Sequence, residues 1–511
     1  MHTTKLFLAS FTLWGTLASA LYAQDANNLV QYSQHLPTST ARSVGMGAAM
    51  GAVGGDFSTL STNPGGLGLY RSSDVGATFN FALHLGKDTY RGNPYTTPTV
   101  DAKIGGIALV MNFPINRETQ EGVVDFNFGI AYNQLANYDC AFTARAHNAE
   151  HSFLDALVAE TNSLGLTPDH FDNEDAAYRA YNWYMVAARK VYLMEPVDAN
   201  GNYLPKDKPY LFKEFVGALR RGDEVEQRQT LYQVGHLGEI DISGAINISN
   251  RLFLGITLGL QEFDRKWDKE HLEENVVFGA ASELDRFKFL ESGNEEGFGV
   301  NLKMGAVVRT SDYLRLGVAF HTPTAMSVES SYGIEAEAYY KTHPAYMNAK
   351  TPRGVVKYSF YGPMRAMGSV GLMLGKYGLF SADYIYSHYP LMSFSNKAVY
   401  TAHNEFIQKE LRGTHELRAG LEILALPFVY RLGGGYLSSA YSNNLLMAYG
   451  PRYYASAGFG VAVDGFYFDM AYRHLWQYGE AYLYKYGSMV EAYTERRDFE
   501  GLLMATIGLR F

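Results

Sequence analysis

The sequence predicts an all-β chain: a transmembrane β-barrel of the outer-membrane kind, with about 14 antiparallel strands, a plug segment in its lumen and a partly helical extracellular loop. Three observations predict it. Apolar residues recur at every second position along many long segments. The connections between those segments alternate between long and short. The composition holds 39 Tyr, 30 Phe and 51 Gly with only 19% charged residues, which suits a barrel with aromatic girdles better than a soluble α/β enzyme. A net charge of −9 gives no sign of nucleic-acid binding.

In chain order, residues 1–23 read as a signal peptide: Lys5, then LFLASFTLWGTLASA, then ALYA before Gln24 and Asp25 as a cleavage context. No later run is long and apolar enough for a membrane helix. Residues 24–73 do not alternate. They are rich in Gly and Ala, and Asn63-Pro64-Gly65 reads as a turn, so a compact plug inside the barrel is expected. GMGAAMG is not a dinucleotide loop, since no strand precedes it and its spacing is wrong.

From residue 74 the strand segments run at 74–85, 103–113, 123–138, 235–248, 251–265, 297–309, 313–332, 355–374, 377–388, 413–425, 428–441, 453–463, 466–476 and 500–511. Two of them show the pattern. In EIDISGAINIS, Ile240, Ile242, Ile246 and Ile248 share a face opposite Glu239, Asp241, Ser243 and Asn247. In RLFLGITLGLQ, Leu252, Leu254, Ile256, Leu258 and Leu260 oppose Phe253, Gly255, Thr257, Gly259 and Gln261. Long connections fall at 86–102, 139–234, 266–296, 333–354, 389–412, 442–452 and 477–499, while short turns such as Ser249-Asn250 and Asp464-Gly465 join the other ends. A soluble sandwich has no reason to sort its loops this way. The last segment places Leu503, Ala505, Ile507, Leu509 and Phe511 on one face, and its terminal Phe resembles an outer-membrane assembly signal.

The opposite face is charged. By alternation Glu239, Asp241, Lys303, Arg315, Asp383, Arg418, Glu422, Asp469, Arg473 and Arg510 point inward, and their mixed signs suggest paired ladders holding something in the lumen. The long loop at 139–234 carries two amphipathic helical stretches, NAEHSFLDALVAETNSLG and NEDAAYRAYNWYMVAARKVYLM. Phe153, Leu154, Leu157 and Val158 share a face of the first; Trp183, Tyr184 and Val186 fall in the second. His147, His151 and His170 lack metal-ligand spacing, Cys140 stands alone, and no catalytic motif is found, so no catalytic residue, metal or cofactor is expected.

The run ARSVGMGAAMGAVGGDFSTLSTNPGGLGLY, followed directly by the first strand, resembles the hatch of the FadL-type outer-membrane transporters of long-chain fatty acids and other hydrophobic compounds. LGVAFHTPTAMSVESSY and GLFSADYIYSHY resemble barrel strands of the same family. The family's Asn-Pro-Ala motif corresponds to Asn63, Pro64 and Gly65, after the acidic Asp56. The resemblance implies a domain plan of 1–23 signal peptide, 24–73 hatch and 74–511 barrel. It also implies passive uptake of a hydrophobic small molecule across a lipopolysaccharide-bearing outer membrane of a Gram-negative cell, by a monomer that is not an enzyme. Met46, Met50, Phe57, Leu60 and Phe253 are the expected ligand contacts, and Gly129 in the third strand the candidate for an inward kink that opens the wall. The alternative is a scaffold resembling the docking component of the type IX secretion system, with the 139–234 loop as the surface for a protein partner.

Overall fold

A computed structural model describes residues 28–36, 39–115, 118, 120–149, 151–197, 211–214, 225–274, 284–341, 345–442, 450–484 and 493–511. The stretch read as a signal peptide, 1–23, lies outside these residues.

The strands close into one antiparallel ring. They are β1 Asp74–Tyr90, β2 Asn93–Pro114, β3 Val123–Asn137, β4 Val225–Ile248, β5 Leu252–Glu274 and β6 Leu284–Arg309. Then come β7, in two pieces at Leu314–His321 and Ala325–Tyr340, and β8, in two pieces at Gly354–Tyr361 and Met364–Met373. The ring continues with β9 Gly378–His388, β10 Thr414–Ala425, β11 Phe428–Leu437, β12 Arg452–Val463, β13 Phe466–Tyr482 and β14 Tyr493–Arg510. Each pairs with the next, and β14 returns to β1, from Asp74↔Arg510 to Tyr90↔Thr494. That seam removes the last pair of free edges, which lipid could not satisfy.

The alternation sorts side chains as the sequence predicts. Ile240, Ile242, Leu254, Ile256 and Leu258 are exposed, while Glu239, Asp241, Ser243, Asn247 and Phe253 are buried. Exposed apolar residues recur outward around the ring, from Phe79 and Phe81 on β1 to Leu503, Ile507 and Leu509 on β14. So wide an apolar belt is the surface a membrane barrel presents to lipid. No helix among the described residues is long and apolar enough to cross a membrane. Tight turns close one end: Ser249 and Asn250 (φ 50° and 56°) and Asp464-Gly465 (φ 51° and 85°) take left-handed conformations whose twist matches a hairpin.

The other end corrects the expected loops. Residues 86–102 are a hairpin turning at Arg91-Gly92, with β1 and β2 paired to Tyr90↔Asn93. The ladders of β5 with β6 and β13 with β14 likewise run far into segments read as loops, to Glu273↔Phe287 and Tyr482↔Tyr493. The physical reason is simple. Above the bilayer both faces of a strand meet water or protein, so the apolar alternation stops although the hydrogen-bond ladder does not. Two segments read as single strands, 313–332 and 355–374, are each interrupted, at Pro323 and at Gly362-Pro363.

Residues 151–197 fold over the tall strands. Ser152 caps the helix Phe153–Ser163 in a reciprocal box with Asp155, and its Oγ donates to Glu273 at 2.5 Å. The second helical stretch divides into Glu174–Ala180 and Trp183–Lys190, because Asn182 caps the latter through Tyr184 N. Leu154, Leu157, Met185 and Ala188 pack on Phe287, Phe289, Ile334 and Ala336 of β6 and β7.

Val318 projects outward midway along the lower piece of β7, 60% exposed. Val318→Arg is expected to destabilise the membrane-inserted barrel by about 2–4 kcal/mol, read from denaturant unfolding in lipid vesicles, whereas the same change at Ser327, above the break in β7, costs far less.

Candidate functional site: a lumen cavity between the inner segment and the wall

The inner face of the ring is polar, so whatever fills it must satisfy those groups. Residues 39–71 do so. Arg42, in the helix Ala41–Gly45, reaches Glu422 of β10 through Nε and Nη2 at 2.9 and 3.0 Å. Glu422 also accepts from Arg431 Nε at 2.7 Å, and Arg431 Nη1 binds Asp469 at 2.6 Å. This is the mixed-sign ladder that alternation suggested. Backbone groups are met too: Gly51 N donates to Asp383 at 3.1 Å, Arg315 to Val53 O at 2.8 Å, and Arg418 to Ala48 O at 3.3 Å. Lys303 instead binds Glu239 and, at 2.7 Å, Asp241, all three buried. Arg473 pairs with Glu500 at 2.7 Å, and Arg510 with Asp74 at 3.2 Å near the turns.

The Asn-Pro-Gly turn is pressed against the wall. Asn63 caps the 3-10 helix Pro64–Leu69, accepting from Gly65 N at 3.1 Å and donating to Gly51 O at 2.6 Å. A Cβ on residue 65 would stand 2.8 Å from the Ala306 backbone, so alanine, the residue of the family motif, has no room here. Facing it, a Cβ on Gly305 would overlap Asn63 Oδ1 at 2.0 Å. Asp56 accepts from Thr40 Oγ1 and Ser58 N, both at 2.9 Å, and so ties two turns of the segment together.

Above this segment lies a cavity of about 100 Å³, open at its mouth. Ser61 and Thr62 of the inner segment border it, as do Tyr32–His35 near the N-terminal end and inward residues from β3 to β11. Its apolar lining includes Ala319, Met326, Phe360, Met367, Ile385 and Leu437. Its polar lining includes His35, Asn301, Lys303, His321, Arg365 and Arg418. Arg365 donates to His35 Nδ1 at 2.8 Å and also to Ser33 O. A guanidinium can only donate, so Nδ1 is the acceptor and Nε2 carries the hydrogen. That Nε2 is buried with no hydrogen-bond partner among the described residues, as is Asn301 Oδ1. Tyr32 binds Glu295 and lies under Arg265, whose guanidinium stands 5.3 Å from the ring centroid.

The residues expected to touch ligand are placed elsewhere. Met46 and Met50 pack with Val53 and Leu379; Phe57 and Leu60 pack with Leu67, Val110 and Ala131. Phe253 is 1% exposed beneath Arg71, 5.9 Å from its guanidinium. None of the five borders the cavity. Apolar residues of a small-residue segment are the ones that anchor it, and these five fill the contact between segment and wall. Gly129 sits in regular register, opposite Val110 and Ser243, and its missing side chain makes room for Leu60. The irregularities of β3 fall at Val123/Asp125 and Gln134/Ala136, and its ladder with β2 ends at Gly106↔Asn133. Met326, Phe360 and Met367 were missed: the inward phase flips across the breaks in β7 and β8, so unbroken alternation from Arg315 and Met367 would turn Met326 and Phe360 outward.

Solved structures share this architecture. A Pseudomonas aeruginosa FadL homologue aligns at TM-score 0.53 and 13% identity, over 93% of this chain and 99% of its own. The Pseudomonas putida toluene transporter TodX aligns at TM-score 0.54 and 10% identity, over 92% of this chain and 98% of its own. No family model matches the chain, and no curated protein matches it in sequence. The chain therefore has the fold of the FadL-type barrels: a closed 14-strand ring around an inner segment.

Lys303→Met would leave Glu239 and Asp241 buried together without their cation. It is expected to cost about 3–5 kcal/mol in detergent unfolding, against under about 1 kcal/mol for Arg309→Met, whose partner Asp312 is exposed.

Proposed function

We propose that this protein is a passive channel of a Gram-negative outer membrane, admitting hydrophobic small molecules that carry one polar end, long-chain fatty acids being the model. The observation that carries this reading is the two-sided lining of the lumen cavity. Met326, Phe360, Met367 and Ile385 offer an apolar wall, while His35 Nε2 and Asn301 Oδ1 are a donor and an acceptor with no partner among the described residues. A purely apolar cargo would leave those two groups unsatisfied, at a cost of about 1–3 kcal/mol each. A hydroxyl or protonated carboxyl end satisfies both, and a carboxylate satisfies the donor on His35.

The named function of the similar barrels, a FadL homologue and a toluene transporter, supports the broader class of hydrophobic cargo. So does the physics of the outer membrane, where lipopolysaccharide hinders greasy molecules and a water-filled pore gives them no favourable path. An apolar cavity inside a barrel avoids both obstacles. In this reading residues 24–73 act as the hatch, and its hydrogen bonds to Asp383, Arg315 and Arg418 must rearrange for ligand to pass toward the turns. The loop helices bury their apolar faces on β6 and β7, so no exposed face of theirs favours the docking alternative.

Ala319→Trp places an indole in the cavity from a residue that belongs to no ion pair. Uptake of a pyrene-labelled fatty acid into vesicles with a lipopolysaccharide outer leaflet is expected to fall about tenfold, with the unfolding midpoint shifted by no more than an overpacked site allows, about 1–3 kcal/mol. Unchanged uptake would contradict the reading.

A further inference from the structure

Above its apolar belt the outside of the barrel carries opposite charge on its two sides. On β5, β6 and β7 the outward residues are acidic. Asp264 faces Glu296 and Glu296 faces Glu329 in one cross-strand row, two residues above the exposed Phe298. That row is closed by a cation at each end, His236 on Asp264 and Lys357 on Glu329, the latter at 2.9 Å. On β13, β14 and β1 the order is different. Tyr472, Leu503 and Phe81 face lipid in one row. Above it come His474, Gly501 and Leu83, then Trp476, Phe499 and Leu85, then Tyr478, Arg497 and Lys87.

Lys87 and Arg497 are both exposed and stand directly opposite one another across the seam that closes the ring. Two like charges so placed weaken a sheet unless an ion of opposite sign lies between them. Among the described residues neither has an ion-pair partner. Asp88 and Asp498, their neighbours in sequence, turn inward to Arg496, at 4.0 and 2.8 Å. Glu480 and Glu495 face each other one step higher and pair with neither cation. The Arg497 guanidinium lies 5.9 Å from the centroid of the Tyr478 ring, and a guanidinium held over an aromatic face keeps its N–H fork for an oxyanion.

The height of the pair says what that oxyanion belongs to. Beneath it the rings of His474 and Trp476 are 4.5 Å apart, and His474 is 6.4 Å from Phe499. Such a row of aromatic side chains marks the edge of the hydrocarbon layer. Two residues along a strand tilted by about 40° climb about 5 Å, so the cations sit one headgroup above that edge. Phosphate is the anion found there, and Arg and Lys bind it as a fork and as a point charge.

We infer that the outward face of β13, β14 and β1 binds a phosphorylated glycolipid of the outer leaflet, with a phosphate between Lys87 and Arg497. Its acyl chains run down Trp476, Phe499, Leu83 and Phe81. Because Lys87 is on the first strand and Arg497 on the last, the phosphate bridges the closing seam. The acidic row on β5 to β7 repels the same headgroup, so the lipid has one side of the barrel. The site rests on the outer-membrane placement proposed above and is independent of what the lumen cavity holds.

The test titrates the delipidated full chain in detergent with diphosphoryl lipid A and counts bound lipid by native mass spectrometry. Lys87→Gln with Arg497→Gln is expected to weaken binding at least about tenfold, each cation near an anionic lipid being worth about fivefold. Either substitution alone should lose about fivefold, and Lys357→Gln on the other side should stay within about twofold. Lipid A stripped of both phosphates should bind the unaltered protein no better than the diphosphoryl form binds the double variant. The double variant breaks no bond of the ladder, and the heat-dependent gel mobility of a folded barrel checks that it folds. Undiminished binding to the folded double variant would overturn the site. So would an equal loss in Lys357→Gln, or stripped lipid A binding as tightly as the diphosphoryl form. The uptake reading stands under each of these results, since fatty-acid flux is what decides it.

Discussion

A strand in lipid has no water to bond, so each of its backbone groups must find a partner in the chain, and the pairing of β14 with β1 is where that demand is finally met. Everything else follows from closing that ring. Closure divides each strand into an outward row, which must be apolar, and an inward row, which must not be lipid-like. A ring of 14 strands is wide enough that the inward row cannot fill the lumen alone. The inner segment is the answer to that surplus space. Its Gly and Ala content lets backbone amides and carbonyls approach the wall, and the wall supplies carboxylates and guanidiniums in the order that meets them.

The chain Arg42–Glu422–Arg431–Asp469 illustrates the balance. Each buried ion has an opposite neighbour on two strands or on the segment, so none is left bare. Such a network registers the segment against β10, β11 and β13 more than it adds stability. Toward the opposite side, the wall meets the segment through glycine and apolar contact at Asn63-Pro64-Gly65. The cavity is what remains above these two attachments, and its lining mixes both kinds of surface.

Much of this was legible in the sequence because the lipid-facing alternation is a strict pattern with a physical cause. Ile240 and Ile242 outside with Glu239 and Asp241 inside, the ring of fourteen, and the inward charges all came from that pattern. The tall strands beyond the bilayer did not, since Lys87, Asp88 and Thr89 pair as regularly as Val75 and Phe81 while carrying no apolar alternation. The breaks at Pro323 and Gly362-Pro363 were in plain sight as residues. That they lie side by side follows from the register, which pairs His321 with Arg365 and Ala325 with Tyr361 only once the strands are joined. The expected contacts and the cavity lining differ for a related reason: Met46, Phe57 and Leu60 pack the segment against the wall, whereas Met326, Phe360 and Met367 reach the cavity from strands whose long-range neighbours no single segment reveals.

The central claim is that an amphipathic small molecule occupies the lumen cavity. Crystals of the protein soaked with a fatty acid brominated at its chain end test it most directly, because bromine can be located by its anomalous scattering. The account predicts a peak inside the barrel beside Met326, Met367 and Ile385, with the carboxylate accepting from His35 Nε2. Bromine found only on the outer belt, with the cavity holding water, would contradict it.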